Sequence, residues 1–191
     1  MRVIAGLLKG RKLERIDTLG IRPTSDRVRE AMFSILNNNV LDSIFLDLFA
    51  GSGGVGIEAY SRGASEIVFI DSNPDSIKIL KKNLFKIGLA EGIEVYNTDY
   101  KIAISKLGSR AKKFDIIFID PPYNKNIPIE AINKIYENDI LSRKGIIIIE
   151  HDIKEFMPEK VNIYKLHKRK KYGNTQLSFY VNNENDMGGT K

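Results

Sequence analysis

The chain has 191 residues, 42% of them hydrophobic, enough to bury a full core in one domain with a small appendage. It has no cysteine, which excludes disulfides and thiolate metal sites, and its formal net charge is +6. The longest apolar run, around Ile146–Ile149, is strand-sized and far short of a membrane span, and Met1 to Gly6 lacks the apolar stretch of a signal peptide, so a cytoplasmic protein without membrane contact is expected.

Taken in chain order, residues 1–20 form a basic N-terminal arm. It contains the alternating stretch Lys12-Leu13-Glu14-Arg15-Ile16, which fits a short hairpin or an extended segment. A helix follows: Ser25 or Asp26 can cap it, and Val28, Ala31, Met32, Ile35 and Leu36 fall on one apolar face. The run Asn37-Asn38-Asn39 ends it.

From residue 44 the pattern alternates. Strands are predicted at 44–48, 66–71, 93–97, 114–120 and 145–150, with helices near 54–62, 74–87, 100–107 and 127–140. Continuous apolar strands separated by helices specify a parallel sheet covered on both faces, an α/β fold. Two further extended runs, 161–168 and 175–182, flank Tyr172-Gly173-Asn174 and read as an antiparallel hairpin. The main domain is thus expected over 21–182, and the polar residues 183–191 are expected to be a disordered tail.

The segment Asp47-Leu48-Phe49-Ala50-Gly51-Ser52-Gly53-Gly54-Val55-Gly56 follows the first core strand and opens a helix. Gly51, Gly53 and Gly56 satisfy G-x-G-x-x-G, and Asp71 lies twenty residues past Gly51 at the end of the next strand. Strand, glycine loop, helix, strand and acid in this order make a nucleoside-binding unit, in which the acid takes the ribose hydroxyls. Without a ligand the same loop would serve only as a tight turn. Both NAD and S-adenosylmethionine fit to this point. Asp47 favours S-adenosylmethionine, because a carboxylate before the first glycine suits a cationic amino group and repels a pyrophosphate. Asp99, just past the third strand, can accept from an adenine amino group; capping the helix 100–107 is its other, compatible use. All these acids would line the carboxyl edge of the sheet, where ligands of open α/β sheets bind.

That edge is also expected to receive Asp120-Pro121-Pro122-Tyr123, directly after the fourth strand. The Asp120 side chain and the Pro121 carbonyl can each accept a hydrogen bond from a planar –NH₂. The prolines fix the turn without adding donors, and Tyr123 offers a π-face to a base. The chemistry implied is methylation of an exocyclic amine, with donor and acceptor side by side. Two hydrogen bonds would favour a pyramidal nitrogen, and Asp120 would stabilise the positive charge growing on it. No metal is needed, and His151 and His167 lack metal-ligand spacing. Adenine, cytosine and guanine all carry such an amine, so this loop does not name the base.

Charge bears on the substrate. Residues 1–30 hold eight Lys/Arg against four Asp/Glu, and residues 160–172 hold six Lys/Arg and no acid; together they carry +10 and the rest of the chain −4. Either block alone reads equally well as solvated surface. Two of them, at opposite ends of a chain with a base-holding loop, point to a polyanion.

Four segments together resemble the RsmD family of bacterial 16S ribosomal RNA guanine-N2 methyltransferases. They are the opening Arg2 to Lys12, the stretch Arg22-Pro23-Thr24-Ser25-Asp26-Arg27-Val28-Arg29-Glu30, the glycine loop, and Asp120 to Tyr123. The resemblance covers nearly the whole chain, and the Arg22–Glu30 stretch with the basic arm is its most specific part. It implies a class I methyltransferase fold, a Rossmann-like seven-stranded sheet with an antiparallel last strand. It also implies S-adenosylmethionine as cofactor and the 2-amino group of one guanine in 16S rRNA as target.

The substrate implied is the small ribosomal subunit or a late assembly intermediate, with neighbouring ribosomal proteins as possible parts of the recognised surface and the enzyme acting as a monomer. By match, Asp47, Gly51, Gly53, Asp71 and Asp99 would hold the cofactor, with Ser52, Ser72 and Tyr100 beside them. Asp120, Pro121, Pro122 and Tyr123 would hold the guanine, next to Arg22, Pro23 and Thr24. A base in folded RNA must be exposed or flipped to be reached, so Lys9, Arg11, Lys12 and the run Lys168-Arg169-Lys170-Lys171 are candidate phosphate contacts. The rivals are a DNA adenine 6-amino methyltransferase, a protein-glutamine methyltransferase, a non-catalytic RNA-binding assembly factor and, least well matched, an NAD-linked oxidoreductase.

Overall fold

The structure, a computed structural model, describes residues 1–15, 25–89, 91–122 and 126–182. It divides into two compact units, Met1–Ala103 and Ile104–Lys191. The strands of its eight-stranded mixed sheet run β3 (Ile93–Asn97), β2 (Glu66–Asp71), β1 (Ile44–Asp47) in the first unit and β4 (Phe114–Ile119), β5 (Leu141–Asp152), β8 (Thr175–Asn182), β7 (Tyr164–Tyr172), β6 (Lys160–Val161) in the second.

In the first unit, helix α1 (Asp26–Leu36) starts at Ser25, whose hydroxyl accepts the Val28 amide at 3.2 Å. It ends at Asn37, with φ +46, and runs into a 3-10 turn, Asn37–Val40. Strands β1 (Ile44–Asp47), β2 (Glu66–Asp71) and β3 (Ile93–Asn97) are parallel, with Ile44 opposite Glu66 and Asp71 opposite Asn97. Between them lie α2 (Gly54–Ser61) and α3 (Pro74–Ile87). Pro74 opens α3, the Asn73 side chain accepts the Asp75 amide at 2.9 Å, and Gly88 (φ +75) closes it. Ile77, Leu80, Leu84 and Ile87 give α3 its buried face, each contributing roughly 1.5–3 kcal/mol when fully buried. Helix α4 (Tyr100–Ser109) follows β3.

The N-terminal residues turn back on themselves and pack onto α2. An antiparallel bridge joins Arg2 and Lys12, and the Val3 amide donates to the Arg11 carbonyl at 3.0 Å. The Glu58 carboxylate, 0% exposed, accepts the amides of Ile4 (2.8 Å) and Ala5 (3.0 Å). Leu7 donates to the Ser61 carbonyl and Leu8 to its hydroxyl. The buried Arg29 side chain donates to the Arg2 carbonyl at 2.6 Å and lies 3.7 Å from Glu58. A hairpin was one of the two forms expected for this arm; the buried Glu58 carboxylate that fixes it lies more than fifty residues away in sequence.

In the second unit, β4 (Phe114–Ile119) and β5 (Leu141–Asp152) are parallel, with Ile116 opposite Ile146 and Ile119 opposite Ile149. Helix α5 (Ile127–Glu137) connects them, burying Ala131, Ile132 and Ile135. Strand β5 is longer at both ends than the predicted 145–150, because Leu141 already pairs with Phe114 and pairing carries the strand on through His151 and Asp152 opposite Gln176 and Thr175. The terminal hairpin is β7 (Tyr164–Tyr172) and β8 (Thr175–Asn182), with the two-residue β6 (Lys160–Val161) on the edge of β7. Apart from that short edge strand the sheet has the expected seven, and β8 is the one inserted antiparallel to its neighbours. No helix among the described residues is long and apolar enough to cross a membrane.

Candidate active site

The glycine loop is held by an acid at each end. The Asp71 carboxylate accepts the Gly51 amide through Oδ2 and the Asn73 amide through Oδ1, both at 2.8 Å. Asp47, 1% exposed, accepts the Gly56 amide at 3.0 Å. Burial is the main reason its carboxyl is pushed up to about 7; the Gly56 hydrogen bond opposes this and the nearby Asp71 charge adds to it.

The loop needs its glycines for separate reasons. Gly53 sits at φ +84 as the N-cap of α2, and a Cβ there would lie 2.2 Å from Leu80 Cδ1. A Cβ on Gly56 would lie 2.3 Å from Phe69 Cε1, so its helix packs on β2 only without a side chain. Ser52 is buried, and its carbonyl accepts from the Asn83 side chain at 2.9 Å.

Asp99 is exposed, and its Oδ1 accepts the Lys101 amide at 2.8 Å, so it does cap α4. Tyr100 is buried against Phe49, ring centroids 5.2 Å apart and tilted by 44°. Ser72 is exposed, beside Asp71.

Asp120 and Pro121 follow β4 as expected; Asp120 is half-buried, Pro121 buried and Pro122 exposed. Tyr123 lies outside the described residues, as do Arg22, Pro23 and Thr24. Lys9, Arg11 and Lys12 are exposed on the N-terminal turn, and Lys168, Arg169, Lys170 and Lys171 are exposed on β7. His151 is buried between the Ser178 hydroxyl and the Asp152 carbonyl, each 2.9 Å away, while His167 is exposed where the β7 register shifts.

Three residues near the loop escaped sequence reasoning. Phe49 sits within the Asp47–Gly56 segment at a position no motif marks, half-buried against Tyr100. Asn83 and Glu58 each carried a signal, a polar group on a helix face or in a helix that is otherwise apolar. Asn83, 0% exposed, accepts the Glu14 amide at 2.8 Å and donates to the carbonyls of Glu14 and Ser52, tying the arm to the glycine loop.

A Rossmann-like mixed sheet with one inserted antiparallel strand and an acid-braced glycine loop after its first core strand defines the class I methyltransferase fold. The profile of the family described as "Conserved hypothetical protein 95" matches residues 1–181. The chain is 34% identical to ribosomal RNA small subunit methyltransferase D of Escherichia coli K12, over 94% of this chain and 89% of that one. It is 38% identical to the protein of the same name from Haemophilus influenzae, over 78% of each. The solved structure of yhhF from Escherichia coli is 33% identical and covers 95% of this chain and 97% of that one, with a TM-score of 0.85. The chain belongs to the RsmD family.

Proposed function

We propose that this protein transfers the methyl group of S-adenosylmethionine to the exocyclic 2-amino group of a guanine in 16S rRNA of the small ribosomal subunit. The observation that carries the reading is the near full-length match to small-subunit rRNA methyltransferases, in a chain that keeps both the braced glycine loop and the Asp-Pro-Pro-Tyr loop. The RNA substrate and a cytoplasmic location belong to the same reading.

The residues present suit the cofactor. Asp71 stands half-buried at the end of β2, where its carboxylate can take ribose hydroxyls while it braces Gly51. The half-buried Phe49, backed by Tyr100, offers an apolar wall to a planar adenine, and Asp99 an acceptor for its amino group. Asp47 offers its carboxylate to the methionine amino group. The cofactor supplies a methyl group on a sulfonium, which leaves with its bonding electrons returned to sulfur.

The protein's part in the chemistry is to hold the amine. The Asp120 carboxylate and Pro121 carbonyl accept hydrogen bonds from the guanine –NH₂, and Tyr123 and Pro122 limit the tilt of the base. As the N–C bond forms, nitrogen becomes positive, and the Asp120 carboxylate stabilises it. Holding nitrogen, methyl and sulfur in line supplies much of the remaining acceleration.

The test is methyl transfer from labelled S-adenosylmethionine to unmodified small subunits, naked 16S rRNA and DNA, followed by nucleoside analysis. N2-methylguanosine from the subunit is expected. Methyladenine in DNA, or cofactor binding without transfer to any of the three, would overturn the proposal. Yield on naked RNA measures how far ribosomal proteins take part in recognition.

A further inference from the structure

Helix α3 buries one face and presents the other as a basic stripe with an aromatic ring in its middle. Lys78, Lys81, Lys82, Phe85 and Lys86 fall at i, i+3, i+4, i+7 and i+8, and all five are exposed. Phe85 is 89% exposed, the most exposed large hydrophobic side chain among the described residues. Burying such a side chain is favourable, and the helix gains nothing of this from Phe85 in the free protein. A solvated amphipathic helix accounts for the four lysines. It does not account for the phenylalanine among them.

The stripe is continuous with the arm. Lys82 pairs with Glu14 at 2.9 Å, and the adjacent Asn83 holds the Glu14 backbone through both its amide and its carbonyl. Glu14 stands next but one to Lys12 and directly before Arg15, both exposed. Lys12 and Arg15 thus flank, along the chain, the residue that α3 holds.

We propose that the exposed face of α3 is an RNA-binding surface, on which Phe85 stacks an unpaired base while Lys78, Lys81 and Lys86 contact the flanking phosphates. This rests on the rRNA-methylation reading and extends it to a region that no motif marks. RNA is the occupant favoured because a flat π-face ringed by cations matches an unpaired nucleotide ringed by phosphates. An apolar protein partner would leave four desolvated lysines to be compensated. Since Phe85 and the three lysines project into solvent, replacing them leaves the core intact.

The experiment compares the wild-type protein with Phe85→Ala, Phe85→Leu, Phe85→Trp and the triple variant Lys78→Gln/Lys81→Gln/Lys86→Gln. It measures binding to naked 16S rRNA and to unmodified small subunits over a range of salt, methyl-transfer kinetics, and S-adenosylmethionine affinity. Phe85→Ala and Phe85→Leu should weaken RNA binding by about five- to hundredfold and raise KM for the subunit, with kcat and cofactor affinity unchanged. Phe85→Trp should restore binding, because it keeps a π-face. The triple variant should lower the slope of log affinity against log salt by about two.

If the wild type binds and methylates the subunit but Phe85→Leu matches it, stacking is excluded and the inference fails alone. The same holds if the variants lose affinity only for the assembled subunit with an unchanged salt slope, which would assign the surface to a ribosomal protein. A wild-type protein that neither binds nor methylates either RNA would overturn the functional reading, and this inference with it.

Discussion

The carboxylate of Asp71 accepts the backbone amide of Gly51 at 2.8 Å, across twenty residues of sequence and the whole of α2. The acid that the cofactor reading places on the ribose is thus also the brace of the glycine loop. Its other oxygen caps the Asn73 amide.

Asp71→Ala removes both acceptors. Hydrogen bonds to a charged group contribute roughly 1.5–3 kcal/mol each, so a loss of about 3–6 kcal/mol of stability is expected, with cofactor affinity falling at least about tenfold. Chemical denaturation and calorimetric titration with S-adenosylmethionine measure the two. Unchanged affinity in a destabilised protein would confine Asp71 to the bracing role.

Asp47 gives a pH dependence of defined sign. Its folded carboxyl titrates at about 7, chiefly because it is buried, whereas in the unfolded chain it ionises near 3.8. Between those values the folded protein keeps a proton that the unfolded chain has lost. Stability should therefore fall as pH rises from about 4 to 7, levelling off on either side. Asp47→Asn should flatten that segment of a plot of unfolding free energy against pH; an unchanged slope would contradict the assignment. Binding of the cationic methionine amino group at Asp47 should also release a proton below pH 7, seen as a buffer-dependent binding enthalpy.

Glu58 fixes the arm. Its buried carboxylate accepts Ile4, Ala5 and, at 2.8 Å, Arg62 Nε, with Arg29 also beside it. Glu58→Ala leaves the buried Arg29 guanidinium with Asp26 as its remaining carboxylate and should cost about 3–5 kcal/mol. Hydrogen exchange at the Ile4 and Ala5 amides should accelerate well beyond the global change. Protection that falls no more than elsewhere would show that the arm docks by other contacts.

Asp120→Ala should reduce methyl transfer by about a hundredfold or more while S-adenosylmethionine still binds. Single-turnover rates with unmodified subunits, alongside cofactor titration, measure this. Near-normal turnover would sink the mechanism.

Neutralising Lys9, Arg11 and Lys12, or Lys168 to Lys171, should weaken RNA binding and reduce its salt dependence, by up to about 0.7–0.9 in slope for each phosphate that is no longer neutralised. Cofactor affinity should stay the same. A drop in cofactor affinity would indicate that these side chains act through the glycine loop.

The alternation of strands and helices, the glycine loop with its acids, the family, and most element boundaries to within a few residues were legible in the chain alone. These are local properties: the run of Ile, Val and Phe in β2 and β4, the apolar spacing along α1 and α3, and the turn chemistry of Gly53 and Gly88 are set by near neighbours in the chain. What only the tertiary structure decided depends on partners far apart in sequence. Asp47 and Asp71 read as ligand-facing acids, and their spacing could not reveal that each holds a loop amide. Asn83 and Glu58 stand where periodicity expects apolar residues, and their use appeared only when the arm came to lie on α2 and beside α3. Residues 74–87 read simply as a helix; only its burial pattern left Phe85 in water among four lysines. Hydrophobic pattern specifies which face of an element turns inward, but the use of a buried polar group or an exposed aromatic one is fixed by what the folded chain brings beside it.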